Sequence, residues 1–333
     1  MRSFTYLAPD SVDAAVDALR SAQPGTKILA GGTTLYDLMK LGIEAPPAVI
    51  DVHRLRELNT IDIGAEELSF GSGARMADVA DHPVIRADYP GLSESLWRAA
   101  SQQLRNMATV GGNLLQRTRC AYFRGGPEFP CNKRVPGSGC AAIDGHDRGH
   151  ALFGGSDACI ATYPGDLAIA LLAFDAIVDV VGPGGERGVP LARLHVEPGD
   201  DPTREHVLDP DELIIRIRVP ATPAGRGSTY LKIRDRESYA FALAASAVAL
   251  TLDGEGVVLD CRIALGGVAT TPLRASEAER YLIGQRLTPH ATRNAGEIAF
   301  ARALPGNYNG FRVELGIRTV ADALRTAGER ATR

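Results

Sequence analysis

Lys27-Ile28-Leu29-Ala30-Gly31-Gly32-Thr33-Thr34-Leu35 is the stretch from which the fold can be read. Residues 27–30 have the composition of a short buried strand, Gly31-Gly32 makes a turn, and Thr33 or Thr34 can cap a helix over 35–41 that stops at Gly42. A turn between strand and helix presents free backbone N–H groups at the positive end of a helix dipole, a setting that suits a phosphate. Glycine there lets a pyrophosphate approach the backbone. By itself the signal is weak, because Gly-Gly in such links equally often serves geometry alone. No Gly-Lys-Ser/Thr follows, so this is not a Walker loop. The nearest match to a GxGxxG fingerprint, Gly137-Ser138-Gly139-Cys140-Ala141-Ala142, lacks the strand and helix that motif requires.

Outward from the turn, the chain alternates strands and helices. Ser11 can cap a helix with Val12, Ala15, Val16 and Leu19 on one face, ended by Pro24-Gly25, and a strand follows over 48–52. A second unit begins near residue 58, with a strand at 68–70, helices at 76–80 and 92–104, a helix at 166–174, and strands at 176–181 and 213–219; residues 196–210 read as a surface loop. A third unit begins near residue 222, with strands at 228–234, 242–252 and 257–267, then helices near 275–284, 288–302 and 312–328. The first of these units reads as a small α/β unit.

A second Gly-rich turn, Thr109-Val110-Gly111-Gly112-Asn113, can face the same ligand, the Thr hydroxyl and Asn amide bonding phosphate, ribose or a ring; the plain alternative is a tight turn with a satisfied Asn. Residues 117–159 differ in character: eight glycines, three prolines and four of the five cysteines, with little apolar periodicity. A segment of about 40 residues without regular structure is usually functional or disordered. Cys120, Cys131, Cys140 and Cys159 follow the spacing C-x10-C-x8-C-x18-C. Four thiolates suit zinc or an iron–sulfur cluster, and the spacing does not choose between them; unrelated buried thiols are the alternative. His146 and His150 lie in the same loop and read as local hydrogen-bonding residues, and Cys261 reads as a strand core residue. In Tyr230-Leu231-Lys232-Ile233-Arg234, Lys232 can stabilise negative charge on a bound ring, although a solvated strand face with ion pairs accounts for the same residues.

The bulk composition excludes several classes. The 333 residues are 45% hydrophobic and 23% charged, ordinary for a globular protein, and suffice for two or three packed units. The net charge of −4, without a basic run, argues against nucleic-acid binding. No apolar run approaches the roughly 20 residues of a membrane helix, and the opening MRSFTYLAPDSVDAAVDAL has no signal-peptide pattern. The expected location is cytoplasmic, or periplasmic by co-export with a signal-bearing partner. An odd cysteine number without a signal argues against a disulfide scaffold.

Taken together, these motifs resemble the FAD-binding medium subunit of the xanthine dehydrogenase, or molybdenum hydroxylase, family, nearest to the FAD subunits of periplasmic aldehyde oxidoreductases, over essentially the whole chain. Residues Lys27, Ile28, Leu29, Ala30, Gly31, Gly32, Thr33, Thr34 and Leu35 resemble the family's pyrophosphate loop, and residues 103–113, with Thr109, Gly112 and Asn113, its second FAD loop. Pro164-Gly165-Asp166-Leu167 is similar to the family's Ser-Asp-Leu element, whose Asp contacts FAD; Gly165 stands where the family carries serine. Ile214-Ile215 resembles the apolar pair near the isoalloxazine, and Lys232 the lysine beside the flavin. A subset of the family carries a [4Fe-4S] cluster in an insertion between the second FAD loop and the Ser-Asp-Leu element, where Cys120, Cys131, Cys140 and Cys159 fall.

The resemblance implies an α+β fold, with a two-part FAD-binding domain of the vanillyl-alcohol oxidase (PCMH) type, over 1–57 and 58–221 with a cysteine-rich iron–sulfur insertion at 117–160, and a C-terminal αβ domain over 222–333. It implies FAD and [4Fe-4S] as cofactors, with a molybdenum-cofactor large subunit and a [2Fe-2S] small subunit as partners in a heterotrimer or its dimer. Aldehyde oxidation would then occur on the large subunit, and this chain would pass electrons to an external acceptor with no acid–base catalytic residue of its own. Two rival expectations are a stand-alone FAD oxidoreductase with its own substrate site and a zinc-stabilised interaction module.

Overall fold

The computed structural model describes residues 2–332. Its first layer holds β1 (Thr5–Leu7), α1 (Val12–Arg20), β2 (Lys27–Leu29), α2 (Leu35–Lys40) and β3 (Ala48–Asp51). The strands form a parallel sheet in the order β1-β3-β2. Ser11 caps α1, its Oγ accepting from Ala14 N–H at 3.1 Å, and Ala15 and Leu19 pack on Ile50 and Val52. The chain leaves β2 into the Gly31-Gly32 turn and enters α2. Thr34 occupies the N-cap of α2 but makes no capping bond, in contrast to the expected threonine cap.

The second layer contains β4 (Ile61–Ile63), β5 (Glu67–Gly71), α3 (Met76–Asp81), α4 (Pro83–Asp88), α5 (Pro90–Trp97), α6 (Gln102–Arg105), α7 (Val110–Leu114), α8 (Ala121–Arg124), α9 (Leu167–Ala173), β6 (Ile177–Gly182), β7 (Gly185–Pro190) and β8 (Leu213–Pro220). Its five strands run antiparallel in the order β4-β5-β8-β6-β7. The helix expected over 92–104 is two helices. Ala100 sits at φ 47°, a left-handed conformation that ends a helix, and Ser101 then caps α6 by accepting from Leu104 N–H at 3.4 Å. The second Gly-rich segment is itself the start of a helix: Thr109 Oγ1 accepts from Gly112 N–H at 3.2 Å and caps α7. Every residue of α9 is buried, the mark of a helix enclosed on all sides.

The third layer is β9 (Ser228–Ile233), β10 (Ala244–Leu252), β11 (Val258–Gly266) and β12 (Leu273–Arg274), with α10 (Ser276–Leu282), α11 (Pro289–Phe300) and α12 (Phe311–Ala331). The sheet order is β12-β11-β10-β9. Side chains alternate faces along a strand, and β10 is buried on both: Ala245, Ala247 and Ala249 join the core around α9, while Ala244, Val248 and Leu250 join the core under α11 and α12. Small residues on the first face let α9 approach closely. This contact sets the third layer against the second. Among the described residues no helix is long and apolar enough to cross a membrane.

Candidate functional site

The two Gly-rich segments meet. A Cβ placed on Gly31 would stand 2.0 Å from the Met107 carbonyl oxygen, and one on Gly112 3.9 Å from the Ala30 Cβ. The second segment is laced to the turn after β5, with Val110 N–H donating to Ala74 O and Gly111 N–H to Ser72 O, both at 2.9 Å. Ser72 N–H in turn donates to Ile215 O at 2.9 Å, and Ile215, Ile28 and Ala30 pack against one apolar cluster. Residues from β2, α7 and β8 are thus brought to one place. Leu29 O accepts from Val52 N–H at 2.9 Å, Leu35 opens α2, and Thr33 and Thr34 are half-buried in the turn. Lys27 turns toward Glu44, 3.6 Å away. Asn113 Oδ1 is buried without a hydrogen-bond partner among the described residues. An orphaned acceptor beside the Gly31-Gly32 turn fits a polar, phosphate-bearing ligand, while the N–H groups of Val110, Gly111, Gly112 and Asn113 are taken within the protein.

Asp166 and Lys232 also come together, and neither is solvated. Lys232 Nζ donates to Asp166 Oδ2 at 2.9 Å and to Arg98 O at 3.1 Å. Tyr230 donates to Asp166 Oδ1 at 2.6 Å. The Lys232 and Asp166 side chains are 1% and 6% exposed, so the reading of Lys232 as part of a solvated strand face is corrected: strand alternation turns it inward onto α9. Asp166 stands at the N-cap of α9 yet makes no capping bond, its carboxylate being committed to Tyr230 and Lys232. Burial and the Asp166 carboxylate push the Tyr230 phenol well above its usual range, so it stays a donor.

The loop over 117–160 gathers its four cysteines around one small cavity. Cys120, Cys131, Cys140 and Cys159 all line it, with Asn132 and Lys133, and all four are free thiols. Cys131 and Cys140 face each other across an antiparallel bridge. That bridge is built by Asn132 N–H to Gly139 O at 2.7 Å, Ala141 N–H to Pro130 O at 3.0 Å, and Gly139 N–H to Asn132 Oδ1 at 2.8 Å. Gly139 sits at φ 97°, where a side chain would strain the turn. The enclosed space is about 10 Å³, and among the described residues no three ligating side chains close on a single ion point. The donor set is nonetheless that of a soft metal centre. Ala161 N–H lies 3.5 Å from Cys159 Sγ. Burial pushes the Cys120 thiol up to about 11, against the pull of the nearby Phe123 and Tyr122 peptide N–H groups. It also raises Cys159, which Ala161 N–H and Lys133 partly offset. Bound metal would therefore displace protons from both. Cys261 lies in β11, wholly buried in the C-terminal core, as its strand setting implies.

The loop shares a small core with the first layer, which its composition did not suggest. Phe123, 1% exposed, packs with Cys131 and with Leu38 of α2. Cations at its entrance bind the first layer: Arg124 to Asp37 at 2.8 Å, Arg119 to Asp37 at 3.2 Å, and Arg117 to Glu44 at 2.5 Å. Arg117 and Lys133 both reach Glu205, at 2.6 and 3.0 Å. At the far end, Leu152 N–H donates to Val268 O at 2.7 Å and Tyr163 N–H to Ala269 O at 3.0 Å. His150 Nε2 lies 3.2 Å from Cys120 Sγ, whereas His146 stacks on Tyr308. The sequence reading did not anticipate Tyr230, Arg117, Arg119, Lys133 or the sulfur contact of His150. Only the charge density of residues 117–134 hinted at the ion pairs, whose acidic partners lie far away in the chain.

Residues 2–222 match the model described as the FAD binding domain in molybdopterin dehydrogenase, and residues 229–327 that of the CO dehydrogenase flavoprotein C-terminal domain. The chain is 44% identical to the aldehyde oxidoreductase FAD-binding subunit PaoB of Escherichia coli, over 99% of this chain and 100% of that one. It is 29% identical to the carbon monoxide dehydrogenase medium chain of Hydrogenophaga pseudoflava, over 91% of this chain and 88% of that one. A solved structure of carbon monoxide dehydrogenase from Hydrogenophaga pseudoflava superposes with a TM-score of 0.78 at 28% identity, covering 99% of this chain and 98% of that one. With both family models matched in order and the whole length shared, the chain belongs to the FAD-binding medium subunits of the molybdenum hydroxylase family, an oxidoreductase subunit of mixed α and β structure.

Proposed function

We propose that this chain is the FAD- and [4Fe-4S]-carrying electron-transfer subunit of a heterotrimeric molybdenum-dependent aldehyde oxidoreductase. It would receive electrons from [2Fe-2S] clusters of a small partner subunit, aldehyde oxidation taking place on a molybdenum-bearing large subunit, and deliver them to an external acceptor. Aldehyde as the substrate class rests on the 44% identity to an aldehyde oxidoreductase subunit. The observation that carries the two-cofactor reading is the gathering of Cys120, Cys131, Cys140 and Cys159 around one cavity, in a loop pinned by Arg117, Arg119 and Arg124 to the layer that bears the first glycine turn.

Bound FAD supplies the redox chemistry, so the protein's part is to hold and tune it. Residues 27–35 would take the pyrophosphate through backbone N–H groups of their turn, and Thr109, Gly112 and Asn113 would line the ligand beside it, Thr109 fixing the second turn by capping α7. Asn113 Oδ1 would accept from the ligand. Ile215 offers an apolar wall, and Asp166 and Lys232 form the polar end, their mutual pairing keeping a charge poised without water. Cys120, Cys131, Cys140 and Cys159 would hold through their thiolates the cluster, which would supply one-electron redox chemistry beside the flavin-binding layers. In this division, residues 1–57 and 58–221 are the FAD-binding parts and 222–333 the C-terminal domain.

The test is copurification of the native complex followed by cofactor analysis and turnover of aromatic and aliphatic aldehydes with an artificial acceptor. Stoichiometric FAD, iron and molybdenum with aldehyde turnover supports the reading; a chain that purifies alone, oxidises a small substrate by itself and carries no iron contradicts it.

A further inference from the structure

His150 is the one loop histidine aimed at a cysteine sulfur, and its backbone is fixed on several sides. Its N–H donates to Asp147 O at 2.8 Å. Its carbonyl accepts from Arg312 Nη1 at 2.5 Å and from Asn309 Nδ2 at 3.3 Å. Arg312 is fully buried in α12 and also donates to Leu243 O at 2.8 Å. Asp147 takes the N–H groups of Asn307 and Tyr308 at 2.8 and 2.7 Å. The C-terminal layer thereby clamps residues 147–150 and leaves the imidazole 6% exposed, its Nε2 3.2 Å from Cys120 Sγ. The other ring nitrogen, Nδ1, is buried without a partner among the described residues.

From this geometry we infer that His150 is a positioning and tuning residue for the cluster: its Nε2–H donates to the Cys120 thiolate and raises the cluster's reduction potential. The inference rests on the reading of the four cysteines as cluster ligands. A metal-bound thiolate has no proton to give, so in that state the ring nitrogen is the donor. A hydrogen bond to a ligating sulfur favours the more negatively charged, reduced cluster, one of the levers by which a protein sets such potentials. His150 is held by the C-terminal layer, so the potential is coupled to the docking of α12.

The experiment is an EPR-monitored redox titration of the purified complex carrying native protein, His150→Gln or His150→Leu, with iron and sulfide measured on each. His150→Gln keeps an N–H near the Nε2 position and should stay near the native potential. His150→Leu should disfavour the reduced cluster about tenfold, a shift of about 59 mV to lower potential for a one-electron couple. Pulsed EPR on native protein labelled with 15N-histidine gives a readout that needs no stable variant. A weak coupling to one histidine nitrogen, lost in His150→Gln, is expected. An unchanged potential in an iron-replete His150→Leu protein, or no histidine coupling in the native cluster, overturns the inference. A coupling of directly ligated size assigns His150 as a ligand instead and also overturns it. Native protein without iron and sulfide overturns the underlying cluster reading, an outcome distinct from the others.

Discussion

Gly31 lies so close to Met107 that a Cβ on it would stand 2.0 Å from the Met107 carbonyl oxygen. The two glycine turns are in backbone contact, and no side chain can be inserted without parting them. Gly31→Ala is therefore expected to lower stability by about 1–3 kcal/mol through overpacking and to reduce the FAD retained per chain. Gly254→Ala, where an added Cβ meets nothing within 4 Å, should alter neither. Flavin absorbance after gel filtration, together with urea unfolding, checks both.

The buried pair of Lys232 and Asp166 offers a second test. Removing one partner leaves the other charge uncompensated, at a cost of about 3–5 kcal/mol. Lys232→Met and Asp166→Asn should each destabilise strongly, while the double variant should cost less than the sum, because the residues touch at 2.9 Å. Additive losses in a denaturant double-mutant cycle would mean that the pair is not coupled.

Arg312 joins the cysteine loop to the C-terminal layer through the carbonyls of His150, Leu243 and Gly267. Arg312→Met fills similar volume but takes this donor from the Leu243 and Gly267 carbonyls, at about 1–3 kcal/mol for each acceptor left unpaired where water cannot reach, and leaves His150 O with Asn309 Nδ2 alone. Hydrogen exchange is expected to rise at residues 147–153 and at the start of α12, leaving the first layer unaffected.

Glu205 makes the loop's anchorage pH-dependent. Burial alone would raise its carboxyl, but Arg117 and Lys133 outweigh that and hold it below the usual carboxylate range. A group depressed on folding stabilises above its unfolded value, about 4.3 for glutamate, and that contribution is lost as pH falls through the lower folded value. Protection of residues 117–135 against exchange should fall on acidification below about pH 4. In Glu205→Gln the protection should already be reduced at pH 7 and change less with acid.

Much of the layout was legible because local chemistry announced it. Ser11 capped its helix as expected, Gly31-Gly32 turned the chain from strand to helix, and the apolar run around 166–174 became an enclosed helix. The break at Ala100 escaped notice because alanine is a strong helix former, and only tertiary packing holds it at positive φ. Strand β1, three exposed residues paired by backbone to β3, carries no pattern to read. At the candidate sites, residue types pointed to the four cysteines, and the family resemblance to Asp166 and Lys232. The contacts among them join residues 64 and 66 positions apart, as in Tyr230 and Lys232 with Asp166. Composition made the cysteine loop look coreless because its core is borrowed: Phe123 fills space under Leu38, a residue of another layer.

The most direct measurement of the two-cofactor account is the FAD, iron, labile sulfide and zinc content of the chain purified anaerobically with its native partners, after subtracting the partners' own clusters through a Cys120→Ser, Cys131→Ser double variant. The account predicts one FAD per chain in both proteins and about four iron and four sulfide more in the native one. Zinc in place of iron, or native and variant proteins with equal iron, would contradict it.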